Sequence, residues 1–196
     1  DPRHVYHDIS VAIDPSRQLY NGQPSLIARW LEEARIDEGQ RIVHIGTGTG
    51  YFTALLAHIV GPAGRVPGTA IDPDLAKQAS ANLTSWPWAS VQHGNGAAAL
   101  PADNDIVLVH AGATHVLDAW LDALRDGGRV LVPFGSMQPH AKAAPPTGRH
   151  ASIILYSDDA GRTWSQSASQ LISPCYEGFN GSNEGACEPV IEPLAD

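Results

Sequence analysis

Three glycines, Gly46, Gly48 and Gly50, follow the apolar run 41–45 (RIVHI) and precede the helical pattern 51–60. Between a strand and a helix, glycine permits a tight turn and lets a ligand reach the backbone, while the amides of the helix start favour negative groups. The chemistry expected of such a corner is the holding of a cofactor. A dinucleotide site wants a further small residue after the last glycine, so that helix and strand can close over a pyrophosphate. Tyr51 and Phe52 stand there instead. Bulk at this place suits a cofactor without a pyrophosphate, one whose amino-acid end lies along the turn, and so favours S-adenosylmethionine over NAD.

The second group of chemically capable residues follows the apolar run 105–109: His110, Ala111, Gly112, Ala113, Thr114 and His115. Ligands of open α/β sheets collect at the carboxyl ends of strands, which makes His110 and His115 the candidate catalytic residues, able to orient or deprotonate an acceptor. Transfer of a methyl group from a sulfonium asks chiefly for alignment and exclusion of water. A carboxylate acceptor, with a reference pKa of about 4, needs no base at pH 7, whereas an alcohol or amine generally does. The Asn/Asp-Pro-Pro-aromatic run expected of adenine N-methylation is absent after this strand; Pro145 and Pro146 lie elsewhere and precede Thr147. Trp86 and Trp88 flank Pro87 and read as edge packing, with an adenine wall as the functional version. Cys175 and Cys187 lack metal-ligand spacing, so no metal site is expected.

Positioning these groups requires short β-branched runs alternating with amphipathic helices, the pattern of βαβ units and a parallel sheet. Strands are expected at 41–45, 65–71, 90–92, 105–109 and 129–134, the last entered through a turn at Gly127 and Gly128. Helices are expected at 51–60, 74–83 and 115–124, the last with Val116, Leu117, Trp120, Leu121 and Leu124 facing inward. An earlier helix opens at Pro24 and buries Leu26, Ile27, Trp30, Leu31 and Ala34. Beyond a loop at 135–150, the runs 151–156 and 163–172 read as antiparallel strands whose join, SDDAGRTW, fits the Asp-box turn. The chain is read as one α/β domain of Rossmann-like type, mostly parallel, with helices on both faces and an antiparallel C-terminal hairpin. Its expected parts are a cap segment at 1–40, a cofactor-binding core at 41–134, the loop, and a hairpin with a tail at 151–196.

With 196 residues the chain can bury one substantial core. A formal charge of −9 with no basic run argues against nucleic acid as a partner. No apolar stretch approaches the roughly 20 residues of a membrane helix and no signal-peptide layout opens the sequence, so a cytoplasmic protein without a membrane partner is expected. The start at Asp1 rather than methionine leaves room for an upstream segment.

Longer ordered text carries a resemblance. VYHD near the start, GQPSLIARWLEEA, IVHIGTGTGYFTALLAHIVGPAGRV, IDPDLAKQASANL, HGNGAAALP, DIVLVHAGA and LRDGGRVLVPFG run from about Tyr6 to Phe134. In this stretch the chain resembles the protein-L-isoaspartate O-methyltransferase family. The resemblance implies a methyltransferase sheet with S-adenosyl-L-methionine across the ends of its first strands, and a peptide, protein or small-molecule acceptor. The residues expected at the cofactor are then His44, Gly46, Thr47, Gly48, Gly50, Tyr51, Asp72, Asn95 and Gly96. Relatives carry an acidic residue where this chain has His44, a ribose-binding glutamate at Ala70, an aspartate at Asn95, and a serine near the isoaspartyl group at Gly22. Asp72, two residues beyond Ala70, is the nearest substitute carboxylate. These departures also admit a second reading, a binding or assembly module that retains the fold without catalysis.

Overall fold

The computed structural model describes residues 11–17, 19–22, 24–98, 100–113, 116–134, 150–157, 163, 165–166 and 171–173, with backbone alone at 26, 133–134, 150–157, 165–166 and 171–173. A short antiparallel hairpin comes first, β1 (Ala12–Asp14) and β2 (Leu19–Tyr20), joined through a 3₁₀ turn at Pro15–Arg17. Helix α1 (Pro24–Glu33) leads into β3 (Ile42–Ile45), α2 (Tyr51–Val60), β4 (Val66–Ala70), α3 (Pro73–Asn82) and β5 (Ala89–His93). Then come β6 (Asn104–Val109), α4 (Asp118–Asp122), β7 (Leu124–Phe134), β8 (His150–Ser157), β9 (Ser165–Gln166) and β10 (Leu171–Ser173).

The sheet order is β10-β8-β7-β6-β3-β4-β5, with β9 paired to β8. Strands β5, β4, β3, β6 and β7 run parallel, and β8 joins β7 antiparallel. This is a mostly parallel Rossmann-like sheet with its order reversing between β3 and β6, where such folds gather ligands.

Alternation along doubly buried strands sorts the core. Ile42, Ile106 and Leu108 face one way with Ile27, Trp30, Phe52, Leu56 and Val60, under α1 and α2. Val43, Ile45, Val107 and Val109 face the other way with Trp120 and Ala123 of the α4 region. Ala76 and Ala79 of α3, with Leu83 at its C-cap, close over Ala70 and Val91. Within the described residues no helix is long and apolar enough to cross a membrane.

Several boundaries differ from expectation. The helix at 115–124 is confined to Asp118–Asp122: Leu117 is extended at its N-cap position, and the Asp118 carboxylate meets the positive end of the helix. Leu117 and Val116 still pack on the core, from outside the helix. Strand β7 begins at Leu124, which pairs with Asn104, and absorbs the glycine pair as an irregularity rather than starting after it. Of the expected strand 163–172, the described parts are β9 and β10. Most of the Asp-box join, the loop 135–149 and both cysteines lie outside the described residues. The β1–β2 hairpin was not anticipated.

Candidate functional site

A cavity of about 340 Å³ opens at the carboxyl ends of the parallel strands. Its floor is Ile45, Gly46 and Gly48; one wall runs from Thr69 to Asp72 with Leu75 of α3; Gly94 and Gly96 form another, and Ala111 a third. Arg17 and Leu19 of the N-terminal hairpin reach its rim.

The turn that makes the floor is held by its neighbour strand, since the amides of Gly46 and Thr47 both donate to the Thr69 carbonyl, at 3.0 and 3.1 Å. Gly46 has φ +79°, and a Cβ there would lie 2.7 Å from the His110 carbonyl oxygen. Only glycine allows β3 and β6 to approach so closely at this point. Gly96 is likewise pressed against Ile45, while its carbonyl accepts from the Trp120 indole at 2.7 Å. A Cβ on Gly94 would meet nothing within 4 Å, so this wall stands open.

Asp72 is the only carboxylate among the described residues lining the cavity. It caps α3: Oδ1 accepts from the amides of Asp74 and Leu75 at 2.9 and 3.0 Å, and Oδ2 accepts from Arg17 Nη2 at 2.5 Å. The Leu75 amide, and after it the Arg17 guanidinium, hold the Asp72 carboxyl below its ordinary value, against the opposing pull of partial burial. Asp72→Ala is expected to lower the unfolding free energy by about 1 kcal/mol through the lost cap, readable by urea denaturation. An unchanged midpoint would show that the cap is dispensable.

The sequence-derived site residues divide. Gly46, Gly48, Asp72 and Gly96 come together at the cavity. Gly50 caps α2 against Ala79, and Tyr51 is 41% exposed and packs edge-on against Phe52. Asn95 uses its Oδ1 within its own turn, accepting from the Ala97 amide at 2.9 Å. Thr47 is buried with its hydroxyl unpaired. His44 has the parity of Ile42, not Ile45, and so points toward α2, where Nδ1 meets Thr53 Oγ1 at 2.9 Å. His115 lies outside the described residues.

His110 shares that parity. Its ring stacks on His44 at 5.8 Å and meets Phe52 at 4.9 Å and Trp30 at 6.3 Å. The Nε2 atoms of both histidines are buried without a partner, and a Cβ on Gly22 would lie 3.1 Å from that of His110. Burial pushes the His110 imidazole down to about 4, and burial together with the neighbouring His110 pushes His44 well below its usual range. Both rings are therefore neutral at pH 7.

Residues missed from the sequence are Arg17 and Leu19 at the rim, and Thr69, whose buried Oγ1 also lacks a partner. A Rossmann-like turn signals Thr69 only through its strand position, and nothing local signals Arg17.

The profile of the family described as Protein-L-isoaspartate(D-aspartate) O-methyltransferase (PCMT) matches residues 2–149. A protein-L-isoaspartate O-methyltransferase of Thermotoga maritima is 32% identical over 67% of this chain, which spans 43% of that relative's length. A solved protein-L-isoaspartate O-methyltransferase superposes with a TM-score of 0.68 at 27% identity, covering 81% of this chain and 50% of its own. A Plasmodium falciparum chain described by the same enzyme name, solved in complex with S-adenosyl-L-homocysteine, superposes at 0.63 with 17% identity, covering 87% of this chain and 79% of its own. That last likeness speaks for the fold alone. A profile match across most of the chain, joined to a glycine-floored cavity at the switch point of a parallel sheet, means that the chain belongs to the protein-L-isoaspartate(D-aspartate) O-methyltransferase family.

Proposed function

We propose that this protein is an S-adenosylmethionine-dependent methyltransferase whose acceptor is a carboxylate on a peptide, protein or metabolite. The observation that carries the reading is the cavity itself, floored by Ile45, Gly46 and Gly48 and walled by apolar Ala70, Ile71, Leu75 and Ala111. Its residues fit the cofactor. The glycine turn leaves room for an amino-acid end, the apolar walls suit an adenine, and the buried, unpaired Oγ1 of Thr69 awaits a polar partner. When bound, S-adenosylmethionine supplies a methyl group already activated on a sulfonium.

The chain's own groups then have two tasks, orientation and exclusion of water. His110 follows the fourth parallel strand in sequence order and stands next to Ala111 of the cavity wall. An imidazole held at about 4 is poorly matched to proton abstraction at pH 7, where a general base works best near the operating pH. His110 does not line the cavity and its ring is buried, so it acts on an acceptor only by fixing the strand end beside Ala111, and a carboxylate, which arrives ionised, needs no base there. The neutral state of His110 thus supports a carboxylate acceptor over an alcohol or amine. His44, turned toward Thr53, acts in this reading only by supporting the His110 ring.

Titration with S-adenosylhomocysteine by calorimetry tests the reading. Binding in the micromolar range is expected, and no heat at millimolar ligand would leave the non-catalytic reading standing. A mass-spectrometric screen of aspartyl and isoaspartyl peptides then identifies the acceptor; methylation confined to amines would overturn the carboxylate assignment.

A further inference from the structure

In Rossmann-like sheets the ribose edge of a bound nucleotide is read at the end of the strand that follows the glycine turn, ordinarily by a carboxylate accepting from the hydroxyls. Here that strand is β4, which ends on Ala70, 4% exposed and without a polar side chain. The nearby carboxylate is already engaged. Both oxygens of Asp72 are engaged, one by the amides of Asp74 and Leu75 and the other by Arg17.

Arg17 reaches this place from the N-terminal hairpin. It lines the cavity, its side chain is 52% exposed, and one of its nitrogens is spent on Asp72. A guanidinium carries five N–H donors in a fixed fork, so anchoring one edge on Asp72 leaves others along the rim. The polar character of the rim is thereby inverted. An acceptor is missing at Ala70 and a donor stands close by.

We propose that Arg17 is a ligand-binding residue that donates to the ribose hydroxyl oxygens of the nucleoside held in this cavity, with Asp72 serving to aim the guanidinium. The assignment rests on the nucleoside reading of the cavity given above. It explains why Asp72 is spent on a cap and an ion pair, and why β4 tolerates an alanine at its end.

The test compares S-adenosylhomocysteine with its 2′,3′-dideoxyribose analogue, titrated calorimetrically into wild type, Arg17→Ala, Arg17→Lys and Asp72→Asn. Wild type is expected to prefer the hydroxylated ligand by roughly tenfold, the size of one charge-assisted hydrogen bond. Arg17→Ala should lose that preference, binding both ligands alike, and Arg17→Lys should keep part of it. Asp72→Asn, which keeps an acceptor for the helix amides but turns an N–H donor toward Arg17 and so loosens its aim, should lose part of it. A merely structural role for Arg17 would weaken both ligands equally and leave the preference intact, which overturns the proposal. A gain in affinity in Arg17→Ala, together with loss of the preference in Asp72→Asn, would also overturn it by making Asp72 the reader. Wild type that binds neither ligand defeats the nucleoside reading and this inference with it, whereas binding that is indifferent to position 17 defeats the inference alone.

Discussion

Gly46→Ala is expected to lower the unfolding free energy by about 3 kcal/mol and to abolish measurable binding of S-adenosylhomocysteine. Two costs add. The left-handed conformation at φ +79° is unfavourable for any residue with a Cβ, by about 1 kcal/mol. The new methyl would also lie 2.7 Å from the carbonyl oxygen and 2.9 Å from the carbonyl carbon of His110, both backbone atoms of the adjoining strand end that cannot rotate away. Relief requires β3 and β6 to part at their carboxyl ends, which shifts Ile45 and Ala111, both of which line the cavity. For a chain of this size the melting temperature should fall by roughly 6–12 °C. Gly94→Ala is the internal control, because its Cβ would touch nothing within 4 Å, and its stability should stay within about 0.5 kcal/mol of wild type. Equal melting temperatures for Gly46→Ala and wild type would show that the strand ends have slack that the geometry denies.

Acidification from pH 7 to 5 should remove about 2 kcal/mol of stability through His110 alone. The direction follows from where each state holds protons. An unfolded histidine titrates near 6.5 and the folded His110 near 4, so between those values the unfolded chain binds more protons and stability rises with pH. The contribution is complete above 6.5 and is lost as pH falls toward 4. His44, pushed down by burial and by its neighbour, acts in the same direction. Asp72, held below the usual carboxylate value, loses its contribution only at lower pH, in the range of carboxylate protonation. Urea unfolding at both pH values, in wild type and His110→Leu, isolates the effect. The variant should show a drop smaller by about 2 kcal/mol, and identical drops would mean that His110 is protonated at little cost in the folded state.

How much of this could be read from the chain depends on whether the signal is local. The strand Ile42–Ile45, its glycine turn and the helix Tyr51–Val60 follow from a continuous apolar run, three glycines and an apolar stripe, all within one stretch of text. Asp72-Pro73 opens α3 for the same kind of reason, a side-chain cap followed by proline in the first turn. The facing of His44 and His110 was also accessible, since the period of two sets them opposite Ile45 and Ala111. Nothing local shows which face of the sheet ends in the cavity. The hairpin Ala12–Asp14 and Leu19–Tyr20 is too short to show alternation, and its tie from Arg17 to Asp72 joins residues 55 positions apart. A contact of that kind has no sequence signature, because it depends on two elements folding first.

That separation has a kinetic side. The hairpin's own backbone bonds, such as Val11 to Gly22 and Asn21 to Val11, lie within it, while its grip on the sheet includes an ion pair exposed on the arginine side. Closing a loop of this length must await the strands and helix that present Asp72, so the rim is among the last parts to order. By the same token it is among the first to loosen, and amide exchange at 19–22 should report the breathing of the cavity mouth on a timescale far shorter than unfolding of the parallel strands.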